Sequence, residues 1–391
     1  MRIVHVANFY GPNSGGIKTT LHELGRGYQS YGHEFIYIVP GVNFVEEITP
    51  FGRKITLPGL TLPQSGGYRI IRDNAELKKI LTRLAPDRLE VSDRFTLTSL
   101  GLWAKENGIP SVVFSHETLR GLVDRFLPIL PSRVKQSVVN IHNRKLSRNF
   151  DYVVATTEFA AKEFKIIGIK NLVKVSLGVD LSVFHPSLRS EDLRTEMLKG
   201  DQVLLVHCGR MSREKEPQRS IEALEILLRK GIRARLVYVG TGPLWHKLRK
   251  QAQGLPVDFL GYIADRNRVA QILASADISM APGPLETFCL AALESLASGT
   301  PVVASQSSAV GEFLRFEHQH PAGAVSFDNR FSFAHSIQHL LKRPKLREVA
   351  REVAETMPWD ATVRSMLVLH GALDVQPDLP QLATSSDLRV A

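Results

Sequence analysis

The hydrophobic pattern of the chain alternates between two periods. Short runs rich in Val, Ile and aromatic residues are separated by longer segments in which apolar residues recur every three or four positions. In the first half this pattern predicts strands at 3–6, 34–39, 111–114 and 152–155, and helices at 19–31 and 74–84. Strands that alternate with helices in this way are typical of a parallel, doubly wound sheet.

The same alternation starts again after residue 200. Predicted strands lie at 203–208, 235–240, 257–260, 277–281 and 301–304, and a helix with one apolar face is predicted at 217–230. The sequence therefore predicts two α/β domains in tandem. In open parallel sheets ligands bind beyond the carboxyl ends of the strands, so two such domains facing each other would form a cleft that holds the chemistry.

The domain boundary is expected between about 180 and 200, where Pro186 and a polar run interrupt the strand pattern. The predicted ranges are an N-terminal domain at 1–185 and a C-terminal domain at 200–357. Residues 358–373 are expected to form a helix that returns to the N-terminal domain. The last segment, 374–391, contains two prolines and many small polar residues and is expected to be a mobile tail.

Composition narrows the class of protein. The 391 residues are 43% hydrophobic and 23% charged, as in a globular protein, and include only two cysteines. A disulfide scaffold is excluded, and no apolar run reaches transmembrane length, so we expect a cytoplasmic protein. The net charge of +10 favours an anionic partner, which leaves nucleic acid, a membrane surface and phosphorylated small molecules open.

Two candidate features lie in the N-terminal half. Gly15 and Gly16 follow the first predicted strand and open a helix, where backbone amides suit a phosphate or a sugar hydroxyl. A tight turn without a ligand explains them equally well. His116 follows the strand at 111–114 and suits contact with a sugar hydroxyl or proton transfer, although capping of the next helix is an alternative.

Two cations lie just beyond the first strand of the C-terminal half. Arg210 follows that strand directly, and Lys215 precedes a predicted helix, so together they suit a diphosphate clamp. Arg213 competes for either role, and a solvated charged loop is the alternative.

The strongest local signal is a pair of glutamates eight residues apart. Glu286 is predicted in a loop and Glu294 two turns into the helix that follows, so Glu294 suits a ribose diol and Glu286 sugar hydroxyls. Amides of Phe288, Cys289 and Leu290 suit a diphosphate at the helix start. Two carboxylates on a solvated helix surface are the alternative.

Taken in order, these motifs resemble those of the retaining glycosyltransferases with the GT-B fold, in which two Rossmann-like parallel-sheet domains face each other across a cleft. The resemblance extends to about residue 370 and rests on the Gly15–Gly16 loop, His116, 177–180 with Phe184 and Pro186, Arg210, Lys215, 239–243, 260–262 and 286–294. The segments 6–12, 89–94 and 281–284 are most similar to the branch that contains the phosphatidylinositol dimannoside mannosyltransferases.

The resemblance implies a role for each matching residue. Mannose would move from GDP-mannose to a mannosylated inositol lipid without a metal. The implied catalytic residues are His116, Arg210, Lys215 and Glu286; the implied donor-binding residues are Gly15, Gly16, Arg210, Lys215, Tyr262, Ile263, Phe288, Cys289, Leu290 and Glu294. Cys289 departs from the family pattern, which usually has Gly at this position.

A lipid acceptor would require contact with a membrane. The segment 119–150 carries seven Lys and Arg residues and the apolar residues Val134, Val138, Ile141 and Leu146 at helical spacing. We expect peripheral binding to the cytoplasmic face of an anionic membrane, the alternative being that these apolar residues pack on their own domain.

Three other functions remain open. A GT-B transferase that uses a UDP-sugar and another acceptor would share the same motifs. A nucleotide-sugar epimerase of similar architecture is disfavoured by the spacing of the two glutamates. A nucleic-acid-binding protein is disfavoured because the basic residues are spread over both halves and no recognisable RNA or zinc-finger motif is present.

Overall fold

The computed structural model describes residues 1–11, 15–62, 67–127, 129–314, 321–343 and 345–374, without the side chains of residues 125 and 126. Apart from Asp374, the predicted mobile tail lies outside these residues. The chain divides into two compact units: Met1–Leu177 together with the chain from Trp359 onward, and Gly178–Pro358.

The division falls a few residues before the boundary range expected from the sequence. A β-bridge joins Val179 to Pro358, and the Arg351 guanidinium donates to the carbonyl of Phe184 at 2.8 Å. These contacts tie the segment before Pro186 to the second unit.

The first unit contains a mixed sheet covered by helices. Its strands are β1 (Arg2–Ala7), β2 (Glu34–Gly41), β3 (Val45–Thr49), β4 (Gly52–Thr61), β5 (Arg69–Ile71), β6 (Arg88–Ser92), β7 (Ser111–Ser115), β8 (Tyr152–Ala155) and β9 (Leu172–Lys174). Its helices are α1 (Gly16–Ser30), α2 (Asn74–Leu84), α3 (Ser99–Glu106), α4 (Leu119–Phe126), α5 (Ser132–Asn149), α6 (Glu158–Lys165) and, at the C-terminal end, α15 (Trp359–Leu369).

The strand order in the first unit is β3-β4-β2-β1-β6-β7-β8-β9, with β5 paired to β4. The neighbours from β4 through β2 to β9 are parallel, and β3 and β5 run antiparallel to β4. Strands β3–β6 and β9 have no counterpart among the predicted strands. In β3–β5 charged residues, Pro58 and glycines interrupt the apolar pattern.

The second unit contains an all-parallel sheet. Its strands are β10 (Val203–Cys208), β11 (Ala234–Val239), β12 (Val257–Gly261), β13 (Ile278–Ala281), β14 (Val302–Ser305) and β15 (Gly323–Ser326). Its helices are α7 (Glu191–Leu198), α8 (Gln218–Arg229), α9 (Trp245–Gln251), α10 (Arg266–Ser275), α11 (Leu290–Ala297), α12 (Val310–Leu314), α13 (Arg330–Leu340) and α14 (Leu346–Glu355). The order β12-β11-β10-β13-β14-β15 is that of a Rossmann fold.

Buried, mainly aliphatic residues form the hydrophobic core of each unit. Leu205, Leu236, Ile278 and Val303 of the second sheet pack with residues of α8 and α13. In the first unit α15 adds Val363, Met366 and Leu367 to a cluster formed by β1, β2 and α1. The C-terminal helix is therefore part of the core of the first unit.

Candidate active site

The strand order places the candidate residues of the second unit at one point of its sheet. The order reverses between β10 and β13, and in such sheets the crevice at the reversal is where ligands bind. Arg210 follows β10, and Glu286 lies in the loop after β13. Both residues therefore lie where the sequence predicted them, beyond the carboxyl ends of parallel strands.

A close backbone approach shapes the loop that carries Arg210. A Cβ on Gly240 would lie 2.1 Å from the carbonyl oxygen of Gly209, and Gly240 has a φ of 126°, so only glycine fits. The Met211 amide donates to the carbonyl of Thr241 at 2.9 Å. Loop β10–α8 is thereby held against loop β11–α9. Arg213, the alternative to Lys215 in the sequence, is exposed.

Lys215 and Glu286 form an ion pair. Lys215 Nζ lies 2.5 Å from Oε1 of Glu286 and 2.6 Å from Oε2, and only 9% of Glu286 is exposed. The Arg219 guanidinium donates to the carbonyl of Pro282 at 2.7 Å and so anchors the loop that carries Glu286. Glu286 is therefore not a solvated carboxylate on a helix surface, which was the alternative left open by the sequence.

The protonation of this cluster follows from burial and charge. Burial disfavours the Lys215 ammonium, but the neighbouring Glu286 carboxylate outweighs burial and raises the pKa of Lys215 above its ordinary value. His207, buried in β10, has its pKa lowered to about 3 by burial and by the charge of Lys215. Lys215 is therefore a fixed cation, and His207 a neutral imidazole.

Helix α11 starts with a residue in an unusual conformation. Cys289 is its N-cap with φ of 73° and ψ of 77°, the left-handed region that glycine adopts without strain. Phe288, before it, is buried against Phe313 with ring centroids 5.7 Å apart, and Leu290 is the first helical residue. Burial, followed by the charge of Glu286, raises the pKa of the Cys289 thiol to about 12, so the thiol stays neutral.

Glu294 lies in the second turn of α11 and is largely buried. Its Oε1 is 3.2 Å from a guanidinium nitrogen of Arg266, which also lies over the ring of Phe184 at 5.0 Å. Tyr262, exposed, and Ile263, half-buried, follow β12. The sequence offered no sign that Arg266 would pair with Glu294, since the two residues lie on different helices.

In the first unit, Gly15 is the N-cap of α1 and Gly16 its first residue, without a capping side chain. A Cβ added to either glycine would meet no described atom within 4 Å. Packing against the described residues therefore does not require glycine at either position.

His116 contacts a buried polar side chain of the neighbouring strand. Its Nε2 lies 2.8 Å from Ser92 Oγ, whereas Thr118 is the N-cap of α4. Burial, followed by the charge of His5, lowers the pKa of His116 to about 3, so its ring is neutral at physiological pH.

Sequence reasoning missed the residues behind His116. His5 and Glu90 interrupt the apolar runs of β1 and β6, at paired positions of neighbouring strands. Both are fully buried, and His5 Nδ1 lies 2.6 Å from Glu90 Oε2. Polar residues inside two buried strands were the available signal, but the sequence does not tell which strands are adjacent.

The basic segment 119–150 forms α4 and α5, and its apolar residues divide between two faces. Val134, Val138 and Ile141 are 45%, 46% and 67% exposed, whereas Leu146 is fully buried. The grouping of all four on one surface was wrong for Leu146, which belongs to the core-facing side of α5 with Val139. The alternative, that these apolar residues pack on their own domain, is wrong for Val134, Val138 and Ile141.

The basic residues of the segment also divide. Arg133, Arg144, Lys145 and Arg148 are exposed, but Lys135 is buried and pairs with Asp124 at 3.2 Å. Arg120 pairs with the same carboxylate at 2.8 Å, and the side chain of residue 125 is outside the described part. We call Val134, Val138, Ile141, Arg144, Lys145 and Arg148 the α5 surface. No helix among the described residues has the length and apolarity needed to span a bilayer.

Comparison with known proteins identifies the family. The family model described as "Glycosyltransferase Family 4" matches residues 14–183, and "Glycosyl transferases group 1" matches 189–357. The chain is 46% identical over 379 residues, 96% of its own length and 97% of the relative, to the "GDP-mannose-dependent alpha-(1-6)-phosphatidylinositol dimannoside mannosyltransferase" of Mycobacterium tuberculosis. The chain belongs to the family 4 glycosyltransferases. A more distant relative of this glycosyltransferase is the "GDP-mannose-dependent alpha-mannosyltransferase" of Corynebacterium glutamicum, 26% identical over 78% of this chain and 72% of the relative.

Solved structures agree on the fold. Sucrose-phosphate synthase from Thermosynechococcus elongatus superposes with a TM-score of 0.73 over 95% of this glycosyltransferase and 98% of that chain, at 18% identity. The structure described as "Trehalose-6-phosphate from E. coli bound with UDP-2-fluoro glucose" gives a TM-score of 0.73 over 95% of this glycosyltransferase and 99% of that chain, at 14% identity. At these identities the similarity shows the GT-B fold alone.

Proposed function

We propose that this glycosyltransferase moves mannose from GDP-mannose to a phosphatidylinositol mannoside and retains the anomeric configuration. The observation that carries the proposal is the 46% identity, over nearly the whole of both chains, to a relative whose name specifies that donor and that acceptor. A transferase that uses a UDP-sugar remains the alternative, since the fold alone does not select the base.

The diphosphate leaving group is proposed to bind at the start of α11. Lys215 and Arg210 supply two positive charges, and the amides at Phe288, Cys289 and Leu290 supply donors. Stabilising charge that develops on a leaving group is the largest catalytic contribution such a site provides. Two fixed cations take the place that Mg²⁺ has in other phosphate chemistry, so we propose a metal-independent reaction.

The sugar and the nucleoside are proposed to bind on either side of the diphosphate. Glu286, held by Lys215, accepts from mannose hydroxyls, and Glu294 accepts from the ribose diol. Tyr262 and Ile263 line the base, and Gly15, Gly16 and His116 of the first unit serve the diphosphate and the transferred sugar. By this proposal residues 1–185 also serve the acceptor, and residues 200–357 bind the donor nucleotide.

The reaction is proposed to proceed on one face of the sugar. The bond between the anomeric carbon and the β-phosphate oxygen breaks, and the acceptor hydroxyl oxygen bonds to that carbon from the same side. The hydroxyl proton moves to the departing phosphate oxygen, so GDP itself serves as the base. Glu286 then has a binding role, since Lys215 holds both of its oxygens and each oxygen retains a lone pair that can accept from a sugar hydroxyl.

The α5 surface is proposed to hold the enzyme on the cytoplasmic face of an anionic membrane. The three apolar side chains of this surface would enter the lipid, and its three cations would meet phosphate headgroups. Each cation would contribute about 1 kcal/mol to the free energy of membrane binding. Nucleic acid is not a proposed partner.

Product analysis tests the reaction. The enzyme is incubated with GDP-, UDP- or ADP-linked sugars, with and without EDTA, and with inositol lipids that carry no, one or two mannoses. We expect a new α-mannosyl lipid from GDP-mannose alone, undiminished by EDTA. Transfer from a UDP-sugar only, or loss of the sugar without an acceptor product, would overturn the proposal.

Vesicle sedimentation tests the membrane surface. Ile141→Ser should weaken binding to anionic vesicles severalfold, and Lys145→Gln about fivefold. The matched control is Ile166→Ser, because Ile166 is 61% exposed in the same unit but lies outside α5. Equal effects of both isoleucine variants would contradict the assignment of this surface.

A further inference from the structure

Arg94 follows β6 and carries a charged side chain that is almost completely buried. Only 1% of the residue is exposed, and its guanidinium lies 4.8 Å from the centre of the Phe164 ring in α6. A charge removed from water needs partners in the protein, and Arg94 has them on two helices. It pairs with Glu163 of α6, and its Nη2 donates to the side-chain oxygen of Asn143 in α5.

The other nitrogen of the guanidinium fork bonds to the loop that carries His116. Nη1 of Arg94 lies 2.9 Å from Oγ of Ser115 and 2.8 Å from the carbonyl oxygen of Glu117, the two residues that flank His116 in the chain. The Ser115 hydroxyl donates to the same carbonyl at 3.2 Å. An arginine side chain only donates and a carbonyl only accepts, so the direction of each of these bonds is fixed by chemistry.

Glu163, the counterion of Arg94, holds the chain beyond His116. Its two oxygens accept from the backbone amides of Leu119 and Arg120, both at 3.3 Å, in the first turn of α4. A carboxylate at a helix N-terminus is also stabilised by the helix dipole. The ion pair between Arg94 and Glu163 therefore holds the backbone on both sides of His116.

We propose that Arg94 is a positioning residue for glycosyl transfer, which fixes the backbone at residues 115–117 and thereby the place from which His116 meets the transferred sugar. The inference rests on the proposed contact between His116 and that sugar. The bonds of Arg94 go to the neighbours of His116 in the chain, so the role holds for either tautomer of the imidazole.

Arg94→Lys separates this role from the need for a buried cation. The ammonium keeps a positive charge opposite Glu163, but it has one nitrogen in place of a fork and cannot serve Ser115, Asn143 and Glu163 at once. Removing the charge altogether would leave Glu163 buried and unpaired and would destabilise the fold. Ser115→Ala is the milder second variant, because it removes one of the two bonds to the His116 loop and keeps the ion pair.

A double-mutant cycle with His116→Ala measures whether Arg94 acts through His116. We expect kcat for transfer from GDP-mannose to fall about tenfold in Arg94→Lys and about threefold in Ser115→Ala, since one hydrogen bond to the substrate is weakened. In the His116→Ala background, neither change should lower kcat by more than about twofold.

Titration with GDP reports folding and donor binding separately from the sugar contact. The affinity for GDP should stay unchanged in Arg94→Lys and Ser115→Ala, because GDP lacks the mannose that His116 is proposed to contact. The stoichiometry of GDP binding counts the folded molecules, so kcat is corrected for any loss of folded protein.

The control is Ser111→Ala, which removes another fully buried serine hydroxyl, 3.0 Å from Asp151, at the opposite end of β7. It should leave kcat unchanged, and equal losses in Ser115→Ala and Ser111→Ala would overturn the inference. So would a loss from Arg94→Lys that is the same with and without His116. If Arg94→Lys yields no folded protein, the cycle with Ser115→Ala decides in its place. Full activity of His116→Ala would instead overturn the sugar contact of the proposed function.

Discussion

Replacing Cys289 with glycine tests how the start of α11 is held. Cys289 is the N-cap of this helix and has a φ of 73°, a backbone conformation in which a Cβ crowds the following carbonyl. Two variants separate the contributions: Cys289→Ala removes only the sulfur, and Cys289→Gly removes the Cβ as well.

The expected free-energy difference comes from two opposing terms. A left-handed conformation costs a residue with a Cβ about 1–2 kcal/mol, which glycine recovers. Glycine also makes the unfolded chain more flexible, which costs about 0.5–1 kcal/mol. Cys289→Gly should therefore be more stable than Cys289→Ala by about 0.5–1 kcal/mol.

Urea unfolding of the three proteins measures this difference, and titration with GDP measures its effect on the site. Lys345 provides a control in the same unit, because it has a φ of 57° at the N-cap of α14 and is exposed. Lys345→Gly should gain a similar stability over Lys345→Ala without changing the affinity for GDP. Cys289→Gly should bind GDP at least as tightly as the wild type, since no side chain then stands beside the amides.

A Cys289→Gly protein less stable than Cys289→Ala would refute the strain argument. Weaker GDP binding by Cys289→Gly, with unchanged stability, would show that the cysteine side chain itself supports the ligand.

Three further predictions concern the cations, the loop and the pH dependence. Lys215→Ala should lower kcat by about 10²–10³-fold, because the leaving group loses a fixed charge; steady-state kinetics with GDP-mannose measures this, and a change confined to KM would contradict it. Gly240→Ala should destabilise the protein by about 2 kcal/mol or more and weaken GDP binding, because its Cβ would overlap the Gly209 carbonyl; thermal unfolding with and without GDP reports both effects. Burial raises the pKa of Glu117 from 4.5 to about 7 against the charge of Arg94, so the folded protein holds this proton more tightly than the unfolded chain. Stability should then fall as pH rises from about 4.5 to about 7 and should fall less in Glu117→Gln; parallel pH profiles of the two proteins would contradict this.

The strand-end residues were the predictable part of the site. Arg210 and Glu286 each follow a buried strand with an apolar pattern, and a parallel sheet presents the carboxyl ends of its strands at one edge. The pairing of Lys215 with Glu286 was consistent with this placement but required the loop anchored by Arg219 to bring the two side chains together.

Other features depended on contacts between distant parts of the chain. The bond between His370 and Glu90 joins residues 280 positions apart, and it exists because α15 packs with the first unit. The exposure of Val138 and the burial of Leu146 on the same helix depended on which side of α5 meets the sheet. Helical spacing indicated an amphipathic helix but did not distinguish its two apolar faces.

Local periodicity was thus sufficient for the two α/β halves, most strands of the second half and the residues at the strand ends, because these follow from side-chain spacing and burial within one segment. Tertiary packing alone decided the buried hydrogen bonds among His5, Glu90 and Ser92 behind His116, the left-handed Cys289 and the exposed face of α5. Each of these depends on the neighbours that folding brings to a residue, and burial, backbone strain and hydrogen-bond direction are properties of that surrounding rather than of the residue type.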